Sequence, residues 1–377
     1  MEFKTEYSNI TPSIEGKLGR NLHNLQNHPI EIVKEKIQSY PAFSNFDLFD
    51  DLNPIVDTVN NFDLLLLPTD HVARSKSDTY YVNKDTVLRT HTSAHQNELL
   101  STNHTNFLVT GDVYRKDEID KSHYPVFHQM EGVGIVEEGL DPKESLLSVL
   151  IGLVKYLFPE YKYRVNDDYF PFTEPSFEIE VKYKPELEDE DEDAWLEVLG
   201  CGIVHKDILK HNNLTKKFWA FGLGLERLAM VMFGIHDIRY FWSDHPKFLD
   251  QFKSGEIVKF KHYSVLGSIT NDISFWIPQS QVRDIINEKI GEEDKWICSN
   301  DFYDFIRDMG EDWVEKVELM DEFFHPKKKM LSRMYRITYS PKDPSLKSPG
   351  AFNEIVLEIQ NKIRNEIVKH IDDIILR

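Results

Sequence analysis

Phe107-Leu108-Val109-Thr110-Gly111-Asp112-Val113-Tyr114-Arg115, then a polar stretch, then Val126-Phe127-His128-Gln129-Met130-Glu131: the reading of these two runs decides the fold. Both are rich in β-branched and aromatic residues, and the segment between them is long, so the pattern predicts two antiparallel strands joined by an extended loop. Side chains alternate along a strand. Phe127, Gln129 and Glu131 therefore share one face, and Val126, His128 and Met130 the other. Arg115 closes the first strand on the side of Gln129 and Glu131. If that face is concave, a cation, an amide and a carboxylate converge on one ligand; read alone, the same residues make an ordinary polar strand surface.

Outward from this hairpin, three further clusters carry chemistry. About 110 residues on, Gly222-Leu223-Gly224-Leu225-Glu226-Arg227-Leu228-Ala229-Met230 reads as a strand end passing into a helix. Glycines there admit a ligand close to the backbone, and Arg227, in the first helical turn, can hold polyphosphate oxygens with two parallel hydrogen bonds. By itself the string is also a Gly-rich turn with a surface arginine. Upstream, His91-Thr92-Ser93-Ala94-His95-Gln96 spaces two histidines i,i+4 without an HExxH, so polar residues at a helix start facing a pocket fit better than a metal site. Phe170-Pro171-Phe172-Thr173-Glu174-Pro175 places two aromatics around a proline, either as core or as an aromatic wall for an aromatic ligand.

The remaining elements frame these clusters. Pro29 suits a first helical position, and Ile30, Val33 and Ile37 recur at helical spacing until Pro41. Asp141-Pro142-Lys143-Glu144 reads as a capped helix start, with Leu146, Val149, Leu150, Leu153 and Leu157 inward and a stop at Pro159. Strands are expected at Phe177–Tyr183 and Trp195–Leu199. Between them Glu186–Asp193, seven of eight residues acidic, reads as a solvated hairpin tip. From about Lys259 a separate unit begins: strand Ile273–Pro278, helix Asp301–Met309, strands Val314–Leu319 and Tyr335–Tyr339, and a closing helix through Ile355, Ile359, Ile363 and Ile367. That β-α-β-β-α order matches a small split βαβ sandwich. No fixed-period repeat is present. The expected divisions are 1–40, an N-terminal extension and helix; 41–258; and 259–377.

Composition bounds the possibilities. The 377 residues are 41% hydrophobic and 12% aromatic, enough for packed cores. Cys201 and Cys298, the only cysteines, form no CxxC pair, which points to a reducing compartment and away from structural zinc. The most apolar stretch, Leu146–Phe158, contains Lys155 and is too short for the roughly 20 residues of a membrane span. The N-terminal MEFKTEYSNITPSIEGKLGR has neither the apolar core of a secretory signal nor the Arg-rich, acid-poor character of an organellar presequence, so such a leader is expected to be absent or already removed. A formal charge of −20 excludes a uniformly basic nucleic-acid binder.

In combination the clusters say more. A strand–loop–strand with Arg115, followed by GLGLER, resembles motifs 2 and 3 of the class II aminoacyl-tRNA synthetases. HTSAHQ, GDVYRKDEIDKSHYPVFHQMEG, FPFTEPSFE, LEVLGCG and WAFGLGLERLAM, in this order, are similar to phenylalanyl-tRNA synthetase. NDISFWIP onward resembles the ferredoxin-like anticodon-binding domain of its single-chain mitochondrial form. The resemblance covers about residues 21–377. It implies an α+β protein: an antiparallel catalytic sheet flanked by helices (41–258), and a ferredoxin-like anticodon-binding domain (259–377). It further implies ATP, L-phenylalanine and tRNA-Phe as partners, Mg2+ accompanying ATP, no tightly bound organic cofactor, no membrane, a monomer, and the mitochondrial matrix rather than the cytoplasm as address.

Carried over residue by residue, the resemblance puts His91, Ser93 and Gln96 around the polar end of the amino acid, with Ala94 and His95 in the same turn. Arg115 would bind the carboxylate and the α-phosphate. Ser122, His123 and Tyr124 belong to the loop folding over ATP. Gln129 and Glu131 would hold the ammonium, with Met130 between them. Glu197 would sit near ATP and its magnesium, Phe170 and Phe172 would grip the phenyl ring, and Ala220 and Phe221 would complete that pocket. Arg227 would hold the γ-phosphate. Motif 2 usually reads Arg-x-Glu; Arg115-Lys116-Asp117 places a shorter carboxylate there. Two alternatives compete. A ligase for another acid is opposed by FPF and HTSAHQ; a catalytically dead RNA-binding paralogue is opposed by the joint presence of Arg115, Gln129, Glu131 and Arg227.

Charge is also uneven. Residues 260–377 hold 17 basic and 21 acidic side chains, against 27 and 43 before them. Within His325–Gly350, Lys327, Lys328, Lys329, Arg333, Arg336, Lys342 and Lys347 face only Asp343, so this segment is the expected landing place for an RNA backbone.

Overall fold

The structure, a computed structural model, describes residues 7–183, 195–263, 266–282, 296–341, 346 and 348–377. The acidic run Glu186–Asp193, Lys342 and Lys347 lie outside the described residues. In chain order the first unit contains α1 (Pro29–Gln38), β1 (Asp47–Phe49), α2 (Gln96–Ser101), β2 (Phe107–Tyr114), β3 (Val126–Ile135), α3 (Pro142–Leu157), β4 (Tyr163–Asp168), β5 (Thr173–Lys182), β6 (Trp195–Val204), β7 (Phe218–Gly224) and α4 (Leu225–Phe233).

The helix starts follow local chemistry. His28 Nδ1 accepts from the Ile30 N–H at 3.2 Å, with Pro29 first in α1. Asp141 Oδ1 accepts from the Glu144 N–H at 3.0 Å, with Pro142 first in α3, a cap that contributes about 1 kcal/mol. Gly234, at φ 68°, ends α4 in the left-handed conformation.

Seven strands form one sheet in the order β1-β2-β3-β7-β6-β5-β4. The two opening runs pair as expected, Val109 opposite Glu131 and Gly111 opposite Gln129. One feature departs from an all-antiparallel sheet: the edge strand β1 runs parallel to β2. A long connection separates the two strands, so no hairpin forces them antiparallel. Every residue of β2 is buried, because the sheet is covered on both faces. One face, through Leu108, Met130, Trp219 and Phe221, packs on α1, α3 and α4. The other, through Phe107, Val109, Val133 and Ala220, packs on Leu65, Leu99, Leu100 and Ile208. Ile30, Val33 and Ile37 belong to the first of these cores, so the segment before residue 41 is built into the sheet domain rather than appended to it.

The second unit holds β8 (Ile269–Pro278), α5 (Ser299–Gly310), β9 (Val314–His325), β10 (Met330–Tyr339), α6 (Pro349–His370) and β11 (Ile375–Leu376). Its sheet runs β9-β10-β8-β11, antiparallel throughout. The strand order is the split βαβ arrangement with one strand added to the expected β-α-β-β-α. Two residues at the end of the chain are too few to show a periodicity. Helix α6 buries Phe352, Val356, Ile363 and Ile367, a face turned slightly from the one through Ile355 and Ile359.

The two units meet at the loop between β2 and β3. Ile119 is buried in the second unit's core, and its carbonyl accepts from the Val317 N–H at 2.9 Å. Lys116 Nζ donates to Asp301 at 2.8 Å, and Arg307 donates to the Glu118 carbonyl at 2.8 Å.

Candidate functional site

A cavity of about 330 Å3 opens on the face of the sheet that carries Gln129 and Glu131. Its walls come from the His91 turn, from Arg115, from β3, from the Phe170–Thr173 segment, and from the adjoining stretches of β6 and β7. The sequence clusters thus converge because six segments distant in the chain share one sheet face. Of the expected residues, His91, Ser93, Arg115, Gln129, Glu131, Phe170, Phe172, Glu197, Ala220 and Phe221 line it.

One end is apolar. The Phe170 and Phe172 rings stack at 5.8 Å between centroids, inclined by 17°. Phe170 lies on Gly200, where a Cβ would come within 2.7 Å of its Cζ. Gly222 faces Gly200 across β6 and β7, and a Cβ there would meet nothing within 4 Å. The floor is therefore open to a ligand at Gly222, while at Gly200 it carries the Phe170 ring.

The other end is polar and under-satisfied. Gln96 Nε2 donates to Glu131 Oε1 at 3.0 Å, while Glu131 Oε2, Gln96 Oε1 and both ring nitrogens of His91 find no well-formed hydrogen bond among the described residues. Burial raises the Glu131 pKa to about 7, with the Ser93 and Gln96 side chains pulling the other way. Burial, then the nearby Arg115 charge, lowers His91 to about 3, so its ring is neutral. Arg115 is set by a 2.6 Å hydrogen bond from Nε to the Thr90 carbonyl and by the Phe127 ring 5.4 Å beneath its guanidinium. Such a site suits a zwitterion with an aromatic side chain: a buried carboxylate for an ammonium, a guanidinium for a carboxylate, and a slot between aromatic rings and glycines.

Arg227 does not line the cavity; it joins the site through Glu197, which does. Arg227 Nη1 donates to Glu197 Oε2 at 3.0 Å, both side chains about half exposed. At this pair a polyphosphate and a divalent cation would find opposite partners. A single carboxylate suffices for a magnesium ion that arrives on phosphate oxygens. Among the described residues no three His, Cys, Asp or Glu side chains gather as a metal cage.

Several expected residues stand elsewhere. Met130 is fully buried in the core on the opposite sheet face, as strand alternation requires. The Phe221 ring points the same way and stacks on Phe43 at 5.7 Å, so Phe221 reaches the cavity without offering its ring. Ala94 is buried. His95 turns away and accepts from Arg89 Nη1 at 3.0 Å; Gln96 acts from behind Glu131. Ser122 and His123 are gathered on Asp120, with Ser122 Oγ donating at 2.9 Å. Tyr124 is buried, stacked on Trp242 at 5.5 Å, and donates to Asp312 of the second unit at 2.7 Å. The shorter motif 2 carboxylate, Asp117, accepts from the Glu118 N–H at 2.8 Å.

Sequence reading overlooked Arg89. Its guanidinium is buried and donates to the Asp112 carboxylate at 2.9 Å, the Leu52 carbonyl at 3.1 Å and His95, so it holds up the turn that presents His91 and Ser93. Nothing in an isolated arginine marks it as buried; only its place two residues before His91 hinted at a role.

The basic segment also divides. Lys327, Lys328 and Lys329 are exposed on the turn between β9 and β10. Arg336 pairs with Asp272 through two 2.9 Å hydrogen bonds on the outer sheet face. Arg333 contradicts the expectation. It is 2% exposed, bound to Glu322 at 2.6 Å and to the Tyr335 hydroxyl at 2.9 Å, because alternation along β10 turns it inward. The outer face instead presents Trp276, with Lys328 Nζ 4.4 Å and the Arg377 guanidinium 5.0 Å from its ring, and Phe323 edge-on to it at 5.5 Å.

Comparison with known proteins yields a concordant set. Residues 13–252 match the family model of the tRNA synthetases class II core domain (F). The chain is 46% identical to the chloroplastic/mitochondrial phenylalanine–tRNA ligase of Arabidopsis thaliana, over 97% of this chain and 82% of the relative. It is 41% identical to the probable mitochondrial phenylalanine–tRNA ligase of Drosophila melanogaster (94% and 87%). It is 34% identical to the mitochondrial phenylalanine–tRNA ligase of Saccharomyces cerevisiae (98% and 92%).

Proposed function

The chain belongs to the phenylalanine–tRNA ligases, class II aminoacyl-tRNA synthetases, and from that premise we propose how its cavity and its second unit divide the reaction. The enzyme activates L-phenylalanine with ATP and esterifies tRNA-Phe with it, in its mitochondrial form. Activation joins a carboxylate oxygen of phenylalanine to the α-phosphorus of ATP and expels pyrophosphate. The carboxylate is already ionised, so no base is needed, and positioning with charge neutralisation supplies the rate.

In this reading Glu131 and Gln129 take the substrate ammonium, with Ser93 and His91 beside it. Arg115 takes the carboxylate and then the α-phosphate. Phe170, Phe172 and Ala220 enclose the ring. Arg227 exchanges its bond to Glu197 for the γ-phosphate, leaving Glu197 to the magnesium that accompanies ATP. The observation that carries the reading is the cavity's polarity: a buried carboxylate oxygen with no well-formed hydrogen bond among the described residues at one end, stacked rings over a glycine floor at the other. Tyrosine is rejected because its hydroxyl would be buried unpaired beside the rings, at about 1–3 kcal/mol. Transfer then forms the ester on the terminal adenosine of the tRNA and releases AMP.

The second unit, residues 259–377, is assigned as a ferredoxin-like anticodon-binding domain. Its outer sheet face supports this: aromatic rings flanked by Lys328 and Arg377 suit stacked, unpaired bases and their phosphates. The family relatives are named mitochondrial, and the matrix is the compartment assigned here, with a monomer as the working unit. No helix among the described residues is long and apolar enough to cross a membrane. Aminoacylation of mitochondrial and cytosolic tRNA-Phe in parallel, alongside phenylalanine-dependent ATP–pyrophosphate exchange, tests substrate, partner and address. Exchange supported equally by another amino acid would overturn the substrate.

A further inference from the structure

Strand β7 ends at Gly224, opposite Gln129, and the chain turns into α4. The next residue of β3, His128, has its N–H directed to the side where β7 has stopped, so no strand carbonyl can receive it. Glu226 fills that place. Its Oε2 accepts the His128 N–H at 2.7 Å, and its Oε1 accepts from His128 Nδ1 at 2.6 Å, so one carboxylate takes both donors of a single residue. Both side chains are buried, 2% and 0% exposed, in contact with no bulk water. The His128 ring is held in turn, stacked on Trp242 at 5.9 Å between centroids. A carboxylate buried here without these two donors would be strongly disfavoured, so the contact has one geometry.

We propose that Glu226 is the positioning residue that sets Arg227 on ATP: its two hydrogen bonds with His128 extend the β3–β7 ladder by one rung and fix the rotation of the first turn of α4. Glu226 is the immediate neighbour of Arg227, and His128 of Gln129, so the tie joins the polyphosphate end of the site to the amino-acid end. Gln129 is already held by its own pairing within the sheet. Among the described residues the Arg227 side chain, half exposed at the start of a helix, is bound by Glu197, and its backbone follows this anchor. The inference rests on Arg227 binding ATP.

The test is steady-state ATP–pyrophosphate exchange by the full chain, varying ATP and phenylalanine separately, for E226D, E226Q, H128A and R227A. E226D keeps the charge but cannot span the gap; a displacement of about 1 Å at a positioning group lowers kcat/KM for ATP about 100-fold. Its KM for phenylalanine stays within about threefold, because Gln129 and Glu131 are untouched. E226Q keeps the length and one acceptor, so it retains more activity than E226D. H128A, which leaves the backbone rung, shifts the same parameter by less and serves if E226D does not fold. E226D and H128A with wild-type kinetics for ATP, equal losses for both substrates, or E226D outperforming E226Q would each overturn the inference. R227A with an unchanged ATP dependence would instead remove the ATP assignment of Arg227, and the inference with it.

Discussion

Arg115 is the residue on which the activation step most depends. Losing one transition-state donor of this kind costs about 100-fold or more, so Arg115→Ala is expected to reduce phenylalanine-dependent exchange by that factor. Near-normal exchange would remove it from the reacting phosphate. Glu131 sets a pH dependence. Its pKa of about 7 in the free enzyme means that the carboxyl is protonated below neutrality and cannot pair with an ammonium. Accordingly kcat/KM for phenylalanine should fall as pH drops through 7, and a profile flat from pH 6 to 8 would count against the assignment. At the ring end, Ala220→Gly enlarges the slot beside Phe170 and Phe172. The variant should accept 4-chlorophenylalanine, and equal exclusion by variant and wild type would refute the pocket. Most of these residues were legible in sequence because each sits in a short run that needs its neighbours: HTSAHQ, the strand carrying Gln129 and Glu131, FPF, GLGLER. Arg89, Tyr124 and the inward Arg333 were not, because a partner distant in the chain decides where each points.

At the level of elements, alternation proved the dependable guide within a strand and a poor one for partners. It placed Gln129 and Glu131 together and Met130 behind them. Applied to β10, it would have placed Arg333 inward beside Tyr335, where the count of basic residues had suggested an RNA contact. The outer face of β8, β9 and β10 is where RNA binding should be sought. Trp276→Ala should weaken tRNA-Phe binding by about 1–3 kcal/mol, the value of one base stacked on an aromatic ring, while leaving exchange without tRNA unchanged. Neutralising Lys327, Lys328 and Lys329 should lower the slope of log K against log salt. An unaltered slope would move the phosphate contacts elsewhere.

For the whole molecule, buried neutral histidines set an acid limit. Burial lowers His23 to about 4, His28 to about 3, His91 to about 3 and His95 to about 4. The unfolded chain binds these protons from about pH 6.5 downward and the folded chain does not, so stability is full above that pH and falls below it. Each histidine contributes about 1.4 kcal/mol per pH unit over its window, and groups whose pKa the fold raises, Glu131, His123, Glu31 and Asp304 among the described residues, offset part of this. The denaturation midpoint should therefore drop markedly between pH 7 and 5; an unchanged midpoint would mean that these rings are hydrated. At this scale the division between chain and fold is clear. Local spacing determined the helices, the central hairpin and the split βαβ order, because capping, alternation and ring stiffness act within a few residues, while the expected residues of the site came from the resemblance its motif runs carry. The tertiary structure alone decided which faces are wet. It sent the Phe221 ring into the core, buried Arg333 against Glu322 and assigned Tyr124 to the junction between units. It also made β1 parallel and drew Glu226 onto His128. Those outcomes depend on long-range contacts whose energies exceed any local preference, and no window of neighbouring residues contains them.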